Sequence, residues 1–116
     1  MYGKYEKQMK KGVLEMLVLK MLADTKKYGY QIIQELKEKS GDVFSLKDGT
    51  LYPVLYRLED DGFVTSEWSE GDGKQVPRKY YRITPGGQEA LLQIQNVWQR
   101  ISGGVEQIME GASSDG

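Results

Sequence analysis

The stretch KDGTLYPVLYRLEDDG, residues 47–62, decides the fold because it contains a complete helix with its start and its end. Leu51, Leu55 and Leu58 recur at helical spacing, so one face of this helix is expected to pack on a core. Pro53 fits a helix only near its start, where the missing N–H has no bonding partner to lose. The glycine that closes the stretch is expected to end the helix.

The start of this helix is expected between Leu46 and Thr50. Ser45 is followed three residues later by Asp48, and this pair resembles a capping box at a helix N-terminus. An aspartate in the first turn also interacts favourably with the helix dipole. We therefore interpret Asp48 as a residue that stabilises the helix start, in preference to an acceptor for a cytosine amino group.

The neighbouring segments complete a winged helix-turn-helix pattern. An amphipathic stripe predicts a first helix over 9–23, and a second helix is predicted from 28 or 29 to 40, with Gly41 as its stop. Residues 63–68 and 78–84 are rich in aromatic and β-branched side chains and predict a β-hairpin. Three helices and a hairpin form the arrangement in which the third helix enters the major groove of DNA and the hairpin, or wing, meets the backbone.

A last helix is predicted after the hairpin, with Thr84 as its N-cap and Pro85 at its first position. Its apolar residues are spaced alternately three and four apart, which is typical of the seam of a coiled coil. The seam residues are Leu91, Ile94, Trp98, Ile101, Val105 and Ile108. Because the preceding elements already supply a core, we predict that this seam forms a homodimer interface, in preference to folding back on its own domain.

The predicted fold class is α+β, mostly α, with a winged helix-turn-helix domain and a long C-terminal dimerisation helix. Its predicted parts are a DNA-binding domain over 1–84, the dimerisation helix over 85–110 and a disordered tail over 111–116. Two adjacent glycines, Gly103 and Gly104, lie inside the last helix, and each costs about 1 kcal/mol in helix propensity.

Composition excludes most enzyme chemistries. The 116 residues include no cysteine and no histidine, which removes thiol nucleophiles, disulfides, cysteine or histidine zinc sites and the commonest general base. The longest apolar run, residues 16–19, is far shorter than the roughly 20 residues that span a bilayer. We therefore expect a cytoplasmic protein that is not an enzyme, has no signal peptide or membrane anchor and needs no cofactor or metal.

Positive charge is concentrated locally despite a net charge of −1. Residues 1–27 hold seven lysines against three acids, and residues 73–82 hold four basic residues and no acid, whereas residues 84–116 hold one arginine against four acids. Charge placement decides local attraction to phosphates more than the sum does. The predicted DNA-contacting residues are Tyr30, Ser45, Lys47, Thr50, Tyr52, Lys74, Gln75, Arg78 and Lys79.

The other tyrosines are interpreted as structural. Tyr80 and Tyr81 alternate along a strand, so one of them is expected in the core, and Tyr56 is expected to pack under the wing. The acidic run Glu59, Asp60 and Asp61 points in several directions around a helix, so it predicts a solvated helix end and not a metal site.

Several motifs together resemble the PadR-like family of bacterial transcriptional regulators. They are Tyr28-Gly29-Tyr30, Gly49-Thr50-Leu51-Tyr52-Pro53, Arg57-Leu58-Glu59, Gly62, Pro77-Arg78-Lys79-Tyr80-Tyr81 and Thr84. The single long C-terminal helix is similar to the smaller subfamily, whose members are dimers. The resemblance implies a homodimeric regulator, expected to be a repressor, that binds a palindromic operator in double-stranded DNA.

The resemblance also implies a small-molecule site. Trp98 is similar to the tryptophan of multidrug-binding members, in which paired indoles from two subunits sandwich flat aromatic compounds. On this interpretation Trp98, Met9, Met16, Ile94 and Ile101 line the site. The multidrug binders carry an acid one turn after the tryptophan, whereas this chain has Ser102. A tryptophan that only fills the dimer core remains an equal alternative for Trp98.

A rival function is a winged-helix module that binds protein without sequence-specific DNA binding. The acidic total and the acids near the third helix favour this alternative. Salt dependence separates the two, because binding through many phosphates weakens steeply with salt and docking through an apolar patch does not.

Overall fold

The computed structural model describes residues 2–70 and 76–114 and contains five helices and a small antiparallel sheet. The elements in chain order are α1 (Tyr2–Lys11), α2 (Leu14–Met21), β1 (Lys27–Tyr28), α3 (Gly29–Lys39), α4 (Asp48–Asp60), β2 (Val64–Ser69), β3 (Arg78–Ile83) and α5 (Pro85–Ser114). This order confirms the mostly helical winged helix-turn-helix fold. Within the described ranges, no helix has the length and apolar character needed to cross a bilayer.

The single first helix predicted over 9–23 is wrong, because two helices, α1 and α2, occupy this region. They are separated at Gly12 and Val13, where the Val13 N–H bonds to the carbonyl of Lys10 in a tighter turn. The Leu17 N–H bonds to the Val13 carbonyl and begins the next helix. Glycine is a poor helix former, which favours a break in the backbone at this position. The apolar residues of the predicted stripe are therefore divided between two helices.

The predicted third helix is α4, which begins at Asp48 within the expected window and ends just before Gly62. Gly62 has φ +78° and Gly41, after α3, has φ +59°, so both glycine stops are confirmed. The capping box is wrong. Lys47 is the N-cap residue and Ser45 donates its hydroxyl proton to the carbonyl of Asp42, because the turn at 41–42 brings that carbonyl within reach.

The sheet has the order β1-β3-β2, and its two-residue strand β1 is absent from the sequence predictions. β1 pairs Lys27 with Tyr81 and Tyr28 with Tyr80, while β2 and β3 form the predicted hairpin and pair Trp68 with Lys79. Directly opposite residues share a face of the sheet. Trp68 and Lys79 therefore continue the face that carries buried Val64, Tyr81 and Ile83 out toward the wing tip.

The core is formed by α2, α3, α4, the sheet and the first turns of α5. Tyr81 is fully buried, which confirms that one of the paired tyrosines belongs to the core. Thr84 caps α5 as predicted: its Oγ1 accepts a hydrogen bond from the Gly87 N–H at 2.9 Å and donates one to the Gly62 carbonyl at 2.7 Å. This double contact fixes the start of α5 to the turn between α4 and the wing.

The first two seam residues of α5 do not face outward. Leu91 is only 6% exposed in the core, and Ile94 packs against the same cluster. The start of α5 lies on α2 and the sheet of its own chain, which accounts for this packing. The assignment of the two residues to a partner interface stays a prediction. Beyond them the helix projects away from the domain, and the described residues extend 68 Å along their longest axis.

α5 continues through Gly103 and Gly104 to Ser114. Residues 111–114 are therefore helical, in contrast to the disordered tail predicted from 111; residues 115–116 lie outside the described residues. The sequence after Gly111 contains no proline, and the alanine at 112 has the highest helix propensity. A single glycine at about 1 kcal/mol does not end a helix of this length.

Candidate nucleic-acid interface

The two exposed flanks of α4 each border a depression in the surface. The first, the wing cleft, lies between α4, the start of α3 and the wing and has a volume of about 390 Å³. Its lining residues are Tyr28, Gly29, Tyr30, Tyr52, Tyr56, Trp68, Pro77, Arg78, Lys79 and Tyr81. Among the described residues no carboxylate lines this cleft.

A close contact between Gly29 and Tyr52 sets the shape of the wing cleft. A Cβ atom at Gly29 would collide with the hydroxyl and the adjacent ring carbon of Tyr52. Only glycine therefore allows the tyrosine of α4 to lie against the first turn of α3. This contact explains the need for glycine between the tyrosines at 28 and 30, and it leaves Tyr30 exposed at the rim.

The cations of the wing cleft are held on aromatic rings and have no ion-pair partner within the described ranges. The Arg78 guanidinium lies 4.5 Å from the ring centroid of Tyr28, and its Nη1 donates to the Tyr28 hydroxyl at 2.9 Å. The Lys79 ammonium lies 5.9 Å from the Tyr56 ring and 5.6 Å from the Tyr81 ring. Cation–π contacts orient these charges without neutralising them, so both remain available to an anion.

Arg82, on the same strand, differs from Arg78 and Lys79 because it forms an ion pair. Its guanidinium is 3.2 Å from the Glu67 carboxylate, which also accepts a hydrogen bond from Lys26 at 3.2 Å. Hydrogen bonds from Lys26 and Arg82 hold the pKa of Glu67 below its usual range. The wing therefore has a neutralised end near the core and a cationic end near its tip.

Two hydroxyls of the cleft, those of Tyr52 and Tyr81, remain protonated at neutral pH. Burial, followed by the nearby Asp48 carboxylate, raises the pKa of Tyr52, and burial raises the pKa of Tyr81 to about 12. The Tyr52 hydroxyl can therefore donate a hydrogen bond to a phosphate oxygen. The Tyr81 hydroxyl is buried and has no hydrogen-bond partner among the described residues.

The second depression, the α1 groove, lies on the opposite flank of α4 and has a volume of about 520 Å³. Its polar and charged lining residues are Lys7, Lys10, Lys11, Ser45, Lys47, Thr50 and Arg57. Two of its five cations are paired with acids outside the groove, Lys10 with Glu6 at 3.0 Å and Arg57 with Glu15 at 3.3 Å. No described acid lines the groove itself.

The seven predicted DNA-contacting residues that the structure describes all lie on these two flanks. The wing cleft contains Tyr30, Tyr52, Arg78 and Lys79, and the α1 groove contains Ser45, Lys47 and Thr50. Lys74 and Gln75 lie outside the described residues. Tyr56, expected under the wing, is half exposed and lines the wing cleft.

The sequence predictions missed Trp68 and the lysines of α1. Trp68 is exposed at the edge of the wing cleft, and strand alternation with Val64 would have placed it on the inner face of the wing. The lysines were counted in the basic N-terminal segment. The break at Gly12 that lets α1 turn toward α4 has no strong sequence signal, because glycine is tolerated within helices.

A third depression, the apolar pocket, lies between α1 and the outer half of α5. Its volume is about 570 Å³, and its apolar lining residues are Met9, Val13, Phe44, Trp98, Ile101 and Val105. Lys10, Ser102 and Glu106 also line it. Glu106 supplies a carboxylate two turns after Trp98, one turn beyond the position where Ser102 departs from the multidrug-binding pattern.

The structure brings together only part of the predicted small-molecule site. Met9, Trp98 and Ile101 share the apolar pocket. Met16 and Ile94 do not line it: Met16 is buried in the core by α2, and Ile94 packs against that core from α5. Their role in ligand binding stays a prediction. Both residues belong to apolar faces of their helices, at positions where these faces pack on the core of the same chain.

Comparison with known proteins identifies the family of this chain. Residues 18–93 match the model of the transcriptional regulator PadR-like family. A PadR family transcriptional regulator from Eggerthella lenta shares 36% identity and a TM-score of 0.78, over 89% of this chain and 87% of that one. A transcriptional regulator from Clostridium thermocellum shares 29% identity and a TM-score of 0.80, over 86% and 96%.

The chain is also similar in sequence to a named regulator. The negative transcriptional regulator PadR of Bacillus subtilis is 33% identical over 79 residues, which cover 68% of this chain and 43% of that protein. Residues 18–93, which match the family model, include α3, α4 and the wing strands, and these elements carry the wing cleft and one side of the α1 groove. The chain therefore belongs to the PadR-like family of DNA-binding transcriptional regulators.

Proposed function

We propose that this chain is a homodimeric repressor that binds an operator with two-fold symmetry and is released by a flat aromatic small molecule. The observation that carries the proposal is the placement of predicted DNA contacts on both flanks of one helix, α4. A helix with donors at its start can read base edges in the major groove, while cations on its flanks bind the backbone on either side.

The exposed apolar face of α5 supports a dimer. Ile101, Val105, Ile108 and Met109 are all more than half exposed, and Met9 of α1 is 75% exposed on the other side of the apolar pocket. An apolar stripe at seam spacing requires a partner helix to bury it. Association through α1 and α5 of two chains buries these side chains and encloses the apolar pocket.

Symmetry then sets the form of the operator. In a dimer with two-fold symmetry, the two α4 helices read inverted half-sites about one DNA turn, roughly 34 Å, apart. A repressor role is supported by the Bacillus subtilis relative, which is named a negative transcriptional regulator. A bound dimer at a promoter blocks access to the DNA that it covers.

The apolar pocket supports the effector step. Trp98 provides an indole face, and Met9, Phe44 and Ile101 provide apolar walls for a planar ligand. Lys10 and Glu106 place one charge of each sign in the lining, so the pocket can pair with either sign of charge on a planar ligand. A ligand that binds one angle between subunits better than another shifts the spacing of the α4 helices and lowers operator affinity.

Selection from a pool of random duplexes tests this function. The chain is expected to enrich an inverted repeat, and the Lys47→Ala/Arg78→Gln variant, which removes one cation from each flank of α4, is expected to lose that enrichment. Lys20→Gln/Lys37→Gln removes two charges from exposed lysines of α2 and α3 that line neither flank, so it is the matched control and should enrich the same sequence. No enrichment at low salt would favour the protein-binding alternative.

Titration with planar aromatic compounds tests the effector step separately. Binding is expected to quench the fluorescence of Trp98 and to weaken operator binding, and Trp68→Phe provides a background without the second tryptophan. Compounds that quench Trp98 without changing operator affinity would contradict release by an effector.

A further inference from the structure

Helix α1 separates the α1 groove from the apolar pocket. Lys7 and Lys11 lie one helical turn apart on the side that faces α4, whereas Met9 lines the apolar pocket. Lys10 borders both depressions, and its ammonium lies 5.5 Å from the ring centroid of Phe44. The two faces of α1 therefore have different chemistry, and only one of them suits a dimer interface.

Three cations of the α1 groove carry charge that no acid among the described residues offsets by an ion pair. Lys7 and Lys11 belong to α1, and Lys47 precedes the first turn of α4. All three are exposed, and the groove between them also offers the hydroxyls of Ser45 and Thr50. Cations and hydroxyl donors along a groove of this kind match the oxygens of consecutive backbone phosphates.

The groove is continuous with the start of α4, the part of a recognition helix that lies deepest in the major groove. A DNA backbone strand that passes the α4 start on this flank meets α1 next, because Lys7 and Lys11 line the same groove as Lys47 and Thr50. No acid among its described lining residues repels a phosphate there. Because these cations and hydroxyls adjoin the first turn of the proposed recognition helix, their position favours a DNA backbone over an acidic peptide.

We propose that α1 is a third DNA-contacting element, in which Lys7 and Lys11 bind backbone phosphates beside the start of α4. This inference rests on the proposed DNA binding and adds contacts from outside the winged helix itself. Its consequence is that one short helix touches DNA with one face and the apolar pocket with the other. Gly12 and Val13 separate this helix from α2.

The salt dependence of binding to a mixed-sequence 30-base-pair duplex tests the inference with the full-length chain. Each phosphate contact contributes about 0.9 to the slope of log affinity against log salt. Two lysines in each of two chains make four contacts, so Lys7→Gln/Lys11→Gln should reduce the slope by about 3 to 4. Glutamine preserves helix propensity, and an unchanged melting temperature verifies the fold.

The matched control is Lys20→Gln/Lys37→Gln, which removes the same charge from exposed positions of α2 and α3 that do not line the groove. A slope reduced by 3 to 4 in the α1 variant and by less than about 1 in the control supports the inference. If the slope falls by the same small amount in both variants, the contact from α1 is excluded. The proposed DNA binding still stands in that case, provided that the affinity of the unmodified chain falls steeply with salt. A salt-independent unmodified chain overturns both.

Discussion

The two halves of α5 carry the same seam spacing and have opposite surroundings. Leu91, at the inner end, is 6% exposed in the core of its own chain, whereas Ile108, at the outer end, is 81% exposed. Both belong to one series of apolar residues at alternate spacings of three and four. The spacing identifies which face of a helix will be buried, but the partner is decided by what the rest of the chain places beside each turn.

The largest expected effect concerns the inner half. Leu91→Ala removes a core side chain and should lower the free energy of unfolding by about 3 kcal/mol, because the truncated methyl groups leave a cavity. Urea denaturation measures this change. The loss should be the same at every protein concentration, because the contacts lie within one chain. A loss that disappears at high protein concentration would instead place Leu91 in an interface between chains.

The outer half should show the reverse behaviour. Ile108→Glu leaves the fold of a single domain within about 0.5 kcal/mol of the unmodified chain, because the side chain is exposed there. In a dimer, Ile108→Glu places a charge in an apolar seam. The dissociation constant of the dimer should rise about thirtyfold, which corresponds to a loss of roughly 2 kcal/mol in the free energy of association. Sedimentation equilibrium measures the dimer, with Gln107→Glu as the control variant, because it adds the same charge at an exposed position of the same helix outside the seam. An unchanged dimer would exclude Ile108 from the interface.

A smaller effect on stability is expected from Tyr81, in the core on which the inner half of α5 packs. Tyr81 has a buried hydroxyl without a partner among the described residues, so Tyr81→Phe should raise stability by up to about 1 kcal/mol at neutral pH. The pKa of Tyr81 is raised to about 12 in the folded chain from an unfolded value of 10.0. Ionisation of Tyr81 therefore favours the unfolded chain, so stability does not change with this group below pH 10 and falls as the pH rises from 10 to 12.

Tyr81→Phe should accordingly flatten the alkaline loss of stability in that pH range. Chemical denaturation at pH 8, 10 and 11 measures it, with Tyr5→Phe as an exposed control. Identical alkaline profiles for Tyr81→Phe and the unmodified chain would show that this hydroxyl ionises normally and is open to water.

The elements with strong local signals were predictable from sequence. The leucine spacing of α4, its glycine stop, the wing strands and the Thr84 cap are each fixed by neighbours within a few residues. The two cations of the wing cleft, Arg78 and Lys79, were also predictable, because they begin the second strand of the hairpin. These features depend on backbone geometry that a short segment determines by itself.

The features that were missed depend on contacts distant in sequence. Strand β1 has two residues and exists only because Lys27 and Tyr28 pair with the far strand β3. Lys27 is buried there, 3.5 Å from the Glu35 carboxylate. The packing of Leu91 in the core beside α2 likewise follows from the tertiary arrangement and not from the spacing of the apolar residues.

Hydroxyl-radical footprinting on the enriched duplex tests the central claim, that a dimer presents two α4 helices to DNA, most directly. We expect two protected half-sites with centres about 10 base pairs apart. The wing and α1 should also protect the sugars on both sides of each half-site. A single protected half-site, at protein concentrations that saturate the duplex, would contradict it.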